Sequence, residues 1–414
     1  MTQRPRGAPQ PPTPPAWRTD ADGRAPSADD AARRRRVELE AEADLARCGA
    51  LKDYWYVACL STELRKGQPL SRTLFGAPLV LFRDAQGRPA ALFDRCLHRN
   101  ARLSAGDVFD GRLGCSYHGW VYDASGACVE IPSLGPSQQG ALLDAGGHAE
   151  AGLKLRPCDV GRVRHFATCE QDGLVFVFMG DDVTKARRPP FRVPKWGEPG
   201  WTTYFMVTRF PNGVTNLVEN FMDVPHTVFV HKGWFRNRRT KQVPARVERK
   251  GAEVLVTYEQ QADELTGAGF LLNPTGLPMV HTDHFIAPNV TRVDYLWGER
   301  SGYVINSQVT PVGPLESWVY TAIAYRLPWD LPGSLVARGL RRFMKWYTTQ
   351  VIGQDVDIMR VQREGLTHAP GGLEFSSTEA DLLHADIEAV RAWLRDGGEG
   401  AGPPDASRRI SFWI

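Results

Sequence analysis

Two cysteine–histidine pairs constrain this chain more than any other feature of its sequence. Cys96 and His98 are separated by one residue, and sixteen residues later Cys115 and His118 are separated by two. Each pair offers one thiolate and one imidazole from a short segment, so two loops could meet at a single metal centre. Zinc also accepts two cysteines and two histidines, but zinc loops more often pair Cys with Cys and His with His. The mixed pairs favour an iron–sulfur cluster with two histidines on one iron, and structural zinc is the alternative.

A second group of candidate ligands lies in the second half of the chain. On an ideal helix Glu219, Asp223 and His226 would fall within about 60° of one another, so they would share one face. His231 follows His226 by five residues, about 140° around the helix, and reaches the same metal only if the helix widens, bends or ends. Pro225 provides a cause, because proline removes a backbone hydrogen bond and crowds the preceding turn. The spacing is therefore compatible with one metal.

Composition excludes several classes of protein. A chain of 414 residues with 42% hydrophobic residues is long enough for two to three domains, at about 150 residues each. The net charge of +3 is too small to indicate nucleic-acid binding. Seven cysteines at irregular spacings argue against a secreted disulfide framework and favour a reducing, cytoplasmic location. No apolar run approaches the roughly 18–20 residues of a membrane span, so we expect no membrane contact.

The pattern along the chain predicts two domains between two tails. Seven prolines before position 27 and a basic run at 33–36 predict a disordered tail over 1–50. Short strands and tight turns predict a β domain over 51–185, followed by a proline-rich linker. A domain of mixed strands and helices is predicted over 190–398, with a second tail over 399–414. We expect its strands to form a sheet that lines a pocket.

The individual elements are predicted from hydrophobic periodicity and residue type. Helices are expected over 335–363 and around the stripe at 383, 387, 390 and 394, with Gly397 as the stop signal. The predicted strands lie at 55–58, 78–82, 90–93, 173–180, 204–208, 254–258, 293–297, 303–309 and 318–325.

The segments Cys96-Leu-His98-Arg99 and Cys115-Ser-Tyr-His118-Gly-Trp120 resemble the Rieske domain of bacterial aromatic-ring oxygenases and their demethylase relatives. One departure is Ser116, where these oxygenases usually carry proline. The resemblance covers roughly residues 51–365. It implies an α+β protein with an N-terminal all-β Rieske domain. A catalytic domain would follow, with an antiparallel sheet flanked by helices in the helix-grip arrangement. Cys96, His98, Cys115 and His118 would bind the [2Fe–2S] cluster.

The second group of ligands is similar to the mononuclear iron motif of the same family. The matching pattern is Glu219-x3-Asp223-x2-His226-x4-His231. The resemblance implies His226 and His231 as Fe(II) ligands, with positions left open for oxygen. The third ligand would be Asp355, which aligns best with the family's late acidic motif, or Asp357. Asp223 would bridge His226 to His118 of a neighbouring subunit, which implies a ring-shaped homo-oligomer, most often a trimer. Glu219 is left open between a supporting role and a simple buried hydrogen bond.

Other residues give weaker signals. His281 and His284 flank Asp283 on a predicted strand and either face a substrate or are structural. A basic stretch at 236–241 either contacts an acidic partner or is a solvated loop, and the latter is favoured. Four aromatic residues suggest an apolar cavity, although core packing explains each equally well; they are Trp234, Phe235, Phe285 and Trp297.

The function implied by the resemblance is oxygenation of a cyclic or aromatic organic molecule. O2 would be the oxidant, and a ferredoxin, a flavin reductase or both would supply electrons from NAD(P)H. Ring hydroxylation, demethylation and cis-dihydroxylation are not separated by the sequence, and we favour monooxygenation. A pure electron-transfer protein with a degenerate second domain and a zinc-bound structural protein are the competing interpretations.

Overall fold

The computed structural model describes residues 49–137, 157–234, 242–259, 273, 276–299, 301–328, 335–368, 376–378, 381–398 and 402–413. The predicted N-terminal tail up to residue 48, the basic stretch at 236–241 and Phe235 lie outside these residues. Among the described segments, no helix has the length and hydrophobicity needed to cross a bilayer.

Strands and tight turns build the first part of the described chain, arranged in three small antiparallel sheets. The sheet orders are β1-β11-β10, β2-β3-β4-β9 and β5-β6-β7-β8. The strands are β1 (Trp55–Leu60), β2 (Leu70–Leu74), β3 (Ala77–Arg83), β4 (Pro89–Phe93), β5 (Asp107–Phe109), β6 (Arg112–Gly114), β7 (Val121–Tyr122), β8 (Cys128–Glu130), β9 (His165–Phe166), β10 (Thr168–Gln171) and β11 (Leu174–Phe178).

Turn chemistry explains why these strands fold back on one another. Between β3 and β4, the Asp84 carboxylate accepts hydrogen bonds from the backbone amides of Gln86 and Arg88. Gly87 takes a positive φ of 80°, a conformation that glycine adopts without steric cost. All five residues of β11 are buried, as expected for a strand covered on both faces. The hairpin and the buried strand confirm two sequence predictions.

An eight-stranded antiparallel sheet forms the second part of the chain, in the order β12-β18-β17-β16-β15-β14-β13-β19. Its strands are β12 (Thr202–Phe210), β13 (Gln242–Lys250), β14 (Glu253–Tyr258), β15 (Met279–Ile286), β16 (Val290–Trp297), β17 (Ser301–Gly313), β18 (Glu316–Arg326) and β19 (Ala406–Trp413). The period-2 alternation of burial along β14 and β16 shows that one face packs against the rest of the domain.

Three α-helices are present in the described residues: α1 (Val214–Met222), α2 (Leu335–His368) and α3 (Leu382–Arg395). Helix α1 contacts β15, β16 and β17, α2 contacts β12, and α3 contacts β14. The helices therefore flank the sheet, and the predicted α+β class with an all-β N-terminal domain is confirmed. Helix α2 extends beyond the predicted 335–363, and α3 ends before Gly397, which has a positive φ of 111°.

The predicted tail over 399–414 is wrong for its described part. Strand β19 occupies Ala406–Trp413 and pairs along its length with β13 at the edge of the large sheet. Its sequence, Ala-Ser-Arg-Arg-Ile-Ser-Phe-Trp, carries only a short apolar alternation, with Ile410 and Phe412 buried. The signal was too short and too polar to be separated from a tail by pattern alone.

The small sheets and the large sheet share one hydrophobic core. Val177 of β11 and Val309 of β17 both belong to it and are fully buried. Hydrogen bonds cross the same boundary: the Thr310 hydroxyl donates to the Val57 carbonyl at 2.7 Å, and Tyr320 donates to Ala58 at 2.6 Å. A separate, smaller hydrophobic core includes Cys96 and Cys115.

Candidate metal centres and the adjoining cavity

The two cysteine–histidine loops have the same backbone design. In the first loop the Cys96 amide donates to the carbonyl of Ala101, and the Asn100 amide donates back to Cys96. In the second loop Cys115 pairs in the same way with Trp120, and the Gly119 amide donates to Cys115. Asn100 and Gly119, four residues after each cysteine, take positive φ angles of 58° and 72°. Each loop is therefore a tight turn that holds one thiol and one imidazole.

These loops bring the four predicted cluster residues together. Both cysteines are buried, and the rings of His98 and His118 lie 4.5 Å apart between centroids. His98 stacks on Trp120 at 4.7 Å, and its Nδ1 is buried without a hydrogen-bond partner. Burial raises the pKa of the Cys115 thiol, and contact with Cys96 adds to the effect. Two thiols beside two imidazoles, one with an unsatisfied nitrogen, fit the donor set of a Rieske cluster.

One hydroxyl is directed at the predicted cluster. The Tyr122 oxygen lies 3.2 Å from Cys96 Sγ and accepts a hydrogen bond from the Leu97 amide at 3.1 Å. Tyr122 is fully buried. Sequence reasoning missed this contact, because it joins residues 26 positions apart and no motif marks the tyrosine. Ser116, singled out in the sequence, is exposed.

The segment that carries the histidines of the second site is not a single helix. Helix α1 ends at Met222, and Asp223 has extended backbone angles, φ −90° and ψ 111°. A short 3₁₀ helix then runs from Pro225 to Val228. The prediction that Glu219, Asp223 and His226 share one helix face is therefore wrong. The chain breaks just before the proline that was expected to perturb it, because proline favours a new helical start at its own position.

This break allows three side chains to converge. His226, His231 and Asp355 place one ligand atom each within 4.8 Å of one another. The Nε2 atoms of His226 and His231 lie 3.5 and 3.2 Å from Asp355 Oδ1. Asp357, the alternative ligand, is exposed and pairs with Arg360 at 3.0 Å. Two imidazoles and a carboxylate facing one point fit the facial triad of non-haem iron sites.

The electrostatics of the triad reflect burial and mutual attraction. For Asp355, burial opposes ionisation, but His226 and His231 outweigh it and lower its pKa to about 2. For His226, burial opposes the charged form, but Asp223 and Asp355 outweigh it and raise its pKa to about 9. The Nδ1 of His226 is buried without a hydrogen-bond partner, since Asp223 Oδ2 lies 3.6 Å away. The three groups therefore form a preassembled set that suits a cation.

Two amide side chains orient this triad. Gln354 Oε1 lies 2.9 Å from His231 Nδ1, so a proton on Nδ1 leaves the Nε2 lone pair available to a cation held beside Asp355. Asn220 Nδ2 donates to Asp355 Oδ1 at 3.2 Å. Sequence reasoning assigned no role to either amide. Gln354 is separated from His231 by 123 residues, so only the packing of α2 against the histidine segment reveals it.

The two acidic residues before His226 have different surroundings. The Asp223 side chain is 28% exposed, which leaves it accessible from outside the chain. Glu219 is more buried; burial raises its pKa, and its other electrostatic neighbours include His384, Glu388 and Arg391 around α3. Glu219 therefore belongs to the contact between α1 and α3.

The triad borders a cavity with a volume of about 110 Å³, measured as the space that the centre of a water molecule can occupy. One water needs only about 10–15 Å³ on this measure, so there is room for a small organic molecule. Helices α1 and α2 form one side and the large sheet forms the other. The residues from the sheet and from α2 include Asp283, Thr291, Val293, Tyr295, Tyr303, Ile305, Ser307, Thr321, Ile323, Tyr347, Thr348, Val351 and Ile352.

The residues that gave weaker signals in the sequence have different surroundings in the structure. His281 is 1% exposed and stacks between Tyr258 and Tyr295, at centroid distances of 4.1 and 4.5 Å, so it is structural. His284 pairs with Glu253 at 2.9 Å. Phe285 and Trp297 belong to the hydrophobic cores, and neither they nor Trp234 line the cavity. The aromatic residues that do line it, such as Tyr295 and Tyr303, were not singled out.

Comparisons with known proteins identify the domain that contains the first of these centres. Residues 54–145 match the family model described as the Rieske [2Fe-2S] domain. The oxygenase component of dicamba O-demethylase from Stenotrophomonas maltophilia is 35% identical over 185 residues, which cover 44% of this chain and 48% of that protein. Pheophorbide a oxygenase from Oryza sativa subsp. japonica is 27% identical over 376 residues, 84% of this chain and 65% of that protein.

The fold also has a counterpart among solved structures. The crystal structure of dicamba monooxygenase bound to dicamba aligns with a TM-score of 0.64 at 22% identity, covering 84% of this chain and 98% of that one. The chain spans between 29% and 65% of the length of the first curated relatives that it matches. Residues 54–145 therefore belong to the Rieske [2Fe-2S] domain family. The relatives and structures to which the longer chain is similar include oxygenases and a demethylase.

Proposed function

We propose that this protein uses O2 and reductase-supplied electrons to hydroxylate or oxidatively demethylate a cyclic or aromatic small molecule. The observation that carries the proposal is the convergence of His226, His231 and Asp355 at the edge of a largely apolar cavity. An electron-transfer protein would have no use for a preassembled triad beside a substrate-sized space. Monooxygenation is the favoured outcome.

The metal sites follow from the same geometry. Cys96, His98, Cys115 and His118 hold the [2Fe–2S] cluster, and His226, His231 and Asp355 hold the mononuclear iron. Bound iron supplies the activation of O2, and the cluster supplies the electrons. Gln354 and Asn220 keep the ligands in place through the contacts described above. The apolar side chains that line the cavity exclude stray water and position the carbon to be oxidised.

Asp223 joins the two centres in this proposal. Its carboxylate lies 3.6 Å from His226 Nδ1, and its partial exposure leaves it accessible to a neighbouring molecule. His118 is exposed at the tip of its loop, so it too is accessible to another copy of the chain. A carboxylate between two imidazoles fixes their tautomers and shortens the path between them. We therefore propose a ring-shaped homotrimer in which Asp223 of one subunit contacts His118 of the next.

The remaining parts of the proposal concern organisation and partners. The Rieske domain occupies about 51–185 and the catalytic domain begins near 190. Electrons come from NAD(P)H through a ferredoxin, a flavin reductase or both, and the protein is cytoplasmic. Neither nucleic acid nor a membrane is a partner.

Two measurements test the proposed activity. Visible absorption and EPR spectra of the purified protein report the cluster, and a colourless, zinc-loaded sample would reject it. A substrate screen with a reconstituted reductase, scored by substrate-coupled O2 uptake and product mass, tests oxygenation. Reduction of the cluster without O2 uptake for any substrate would favour electron transfer alone.

The bridging role of Asp223 has its own test. Asp223→Ala should leave both metal centres occupied and the cluster reducible, but turnover should stop because the path between the centres is lost. Asp357→Ala is the matched control, since Asp357 is an exposed carboxylate whose partner is Arg360. Retained turnover in Asp223→Ala would refute the bridge, and equal loss in both variants would point to a general defect.

A further inference from the structure

The sheet side of the cavity is built in rows of contrasting chemistry. Antiparallel pairing aligns Thr291 with Ser307 and Ser307 with Thr321, which gives a row of hydroxyls. The next inward-facing row, two residues along each strand, is Val293, Ile305 and Ile323. Asp283 lies at the end of this apolar row, opposite Val293 across β15 and β16. A carboxylate therefore ends a row of aliphatic side chains.

Asp283 is fixed in position by two neighbours. The Tyr258 hydroxyl donates to Oδ2 at 2.8 Å, and His281 Nε2 is hydrogen-bonded to Oδ1 at 2.9 Å. The residue is 2% exposed overall but lines the cavity. A carboxylate has about four acceptor sites, and these two bonds use one on each oxygen. Asp283 therefore has acceptor capacity left for a group inside the cavity.

The described side chains that line the cavity provide no permanent positive charge that could pair with an anionic guest beside Asp283. Among the described residues that line it there is no lysine or arginine. The aspartate and histidine side chains there are Asp223, His226, His231, Asp283 and Asp355, and three tyrosines, Tyr295, Tyr303 and Tyr347, also line the cavity. Of the carboxylates and imidazoles, all but Asp283 belong to the proposed iron site or to the proposed bridge between the two centres. His281 contacts Asp283 from outside the lining and is itself buried between two tyrosines.

We infer that Asp283 selects the substrate: the cavity takes a neutral or cationic molecule that donates an N–H or O–H hydrogen bond to this carboxylate, and it rejects carboxylates and sulfonates. This inference rests on the proposed function and specifies its substrate class. An anionic guest would place a second negative charge beside buried Asp283, and this is strongly disfavoured because the positive charge of iron at the triad is already shared with Asp355. A donor bound to a carboxylate forms a charge-assisted hydrogen bond, roughly twice as strong as a neutral one.

The first test compares matched single-ring probes on the metal-loaded protein. Anaerobic calorimetry would measure the affinities of 4-methoxybenzylamine, 4-methoxybenzyl alcohol and 4-methoxybenzoate at pH 7. We expect the amine and the alcohol to bind about 10- to 100-fold more tightly than the benzoate, in keeping with a hydrogen bond to a charged group. Equal or tighter binding of the benzoate, or no binding of either donor at millimolar concentration, would overturn the inference.

The second test assigns the preference to Asp283. Asp283→Asn keeps the shape and can still pair with Tyr258, but it removes the negative charge. The ratio of amine to benzoate affinity should fall about tenfold or more. Thr321→Val is the matched control, since Thr321 lines the same wall without charge, and it should leave that ratio unchanged. An unchanged ratio in Asp283→Asn would also overturn the inference, and the ranking in the unmodified protein remains a test if this variant fails to fold.

These outcomes separate the inference from the proposed activity. Calorimetry needs no turnover, so the probe ranking stands even if no substrate supports O2 uptake. Conversely, O2 uptake coupled to an aromatic carboxylate would support oxygenation while rejecting the role of Asp283.

Discussion

The cluster loops and the iron triad differ in how far apart their residues lie in the chain. All four proposed cluster ligands fall within positions 96–118, and each loop is closed by its own backbone hydrogen bonds. The triad joins His226 and His231 to Asp355, which lies more than one hundred positions later on α2. Local geometry is therefore sufficient for the first centre, whereas the second exists only when α1, α2 and the sheet are packed. The two centres should respond independently to substitutions that act on one of them.

The largest expected effect is loss of the cluster in Cys115→Ser. A serine oxygen is a poor substitute for a thiolate at a cluster iron, so the visible absorption and the EPR signal should disappear. The mononuclear iron should remain bound, because its ligands pack against a different core. Iron analysis with and without the cluster signal checks both parts. Loss of all iron would show that the two centres fold as one unit.

The reciprocal change is Asp355→Ala, which should remove the mononuclear iron and leave the cluster spectrum intact. The remaining two histidines provide too few ligands, and the carboxylate that lies within 3.5 Å of both is gone. Asp357→Ala is the control and should retain iron, since Asp357 is exposed and paired with Arg360. If Asp357→Ala loses iron and Asp355→Ala keeps it, the assignment of the third ligand is reversed.

A smaller effect is expected for Gln354→Leu. This change removes the hydrogen-bond partner of His231 Nδ1 without touching a ligand. Loss of such a supporting contact typically weakens metal binding by about 10- to 100-fold. A chelator titration of Fe(II) measures the change. Gln350→Leu on the exposed face of the same helix should leave the affinity unaltered, and an equal loss there would mean that the effect is on the helix rather than on His231.

The smallest effect concerns the cluster alone. Tyr122→Phe removes the hydroxyl that lies 3.2 Å from Cys96 Sγ. Hydrogen bonds to cluster sulfurs stabilise the more negative, reduced state, so the reduction potential should fall. An EPR-monitored redox titration measures the shift. Tyr117→Phe, exposed beside His118, should not change the potential, and a fall of the same size in that variant would exclude a specific role for Tyr122.

The same contrast explains what could be predicted from the sequence. The cluster residues and both histidines stand in short motifs with fixed spacing, and most strands follow simple alternation. The third ligand was assigned through resemblance, since nothing local distinguishes Asp355 from Asp357; the structure separates them by burial. The end of α1 at Met222 was not predicted, because ideal helical angles were assumed from Glu219 to His226. Asn220, Gln354, Tyr122 and Asp283 act through contacts between segments distant in the chain, which no local pattern encodes.

Helix α2 carries both the proposed third iron ligand, Asp355, and part of the cavity wall on one face. Tyr347, Thr348, Val351 and Asp355 follow the spacing of successive helical turns, and Thr348 is hydrogen-bonded to tyrosines of the sheet. A small molecule in the cavity that moves this face of α2 also moves Asp355. Binding of that molecule and binding of iron are then coupled, so each changes the affinity of the protein for the other by the same factor. The iron affinity measured with and without a bound guest thus reports how firmly α2 is held.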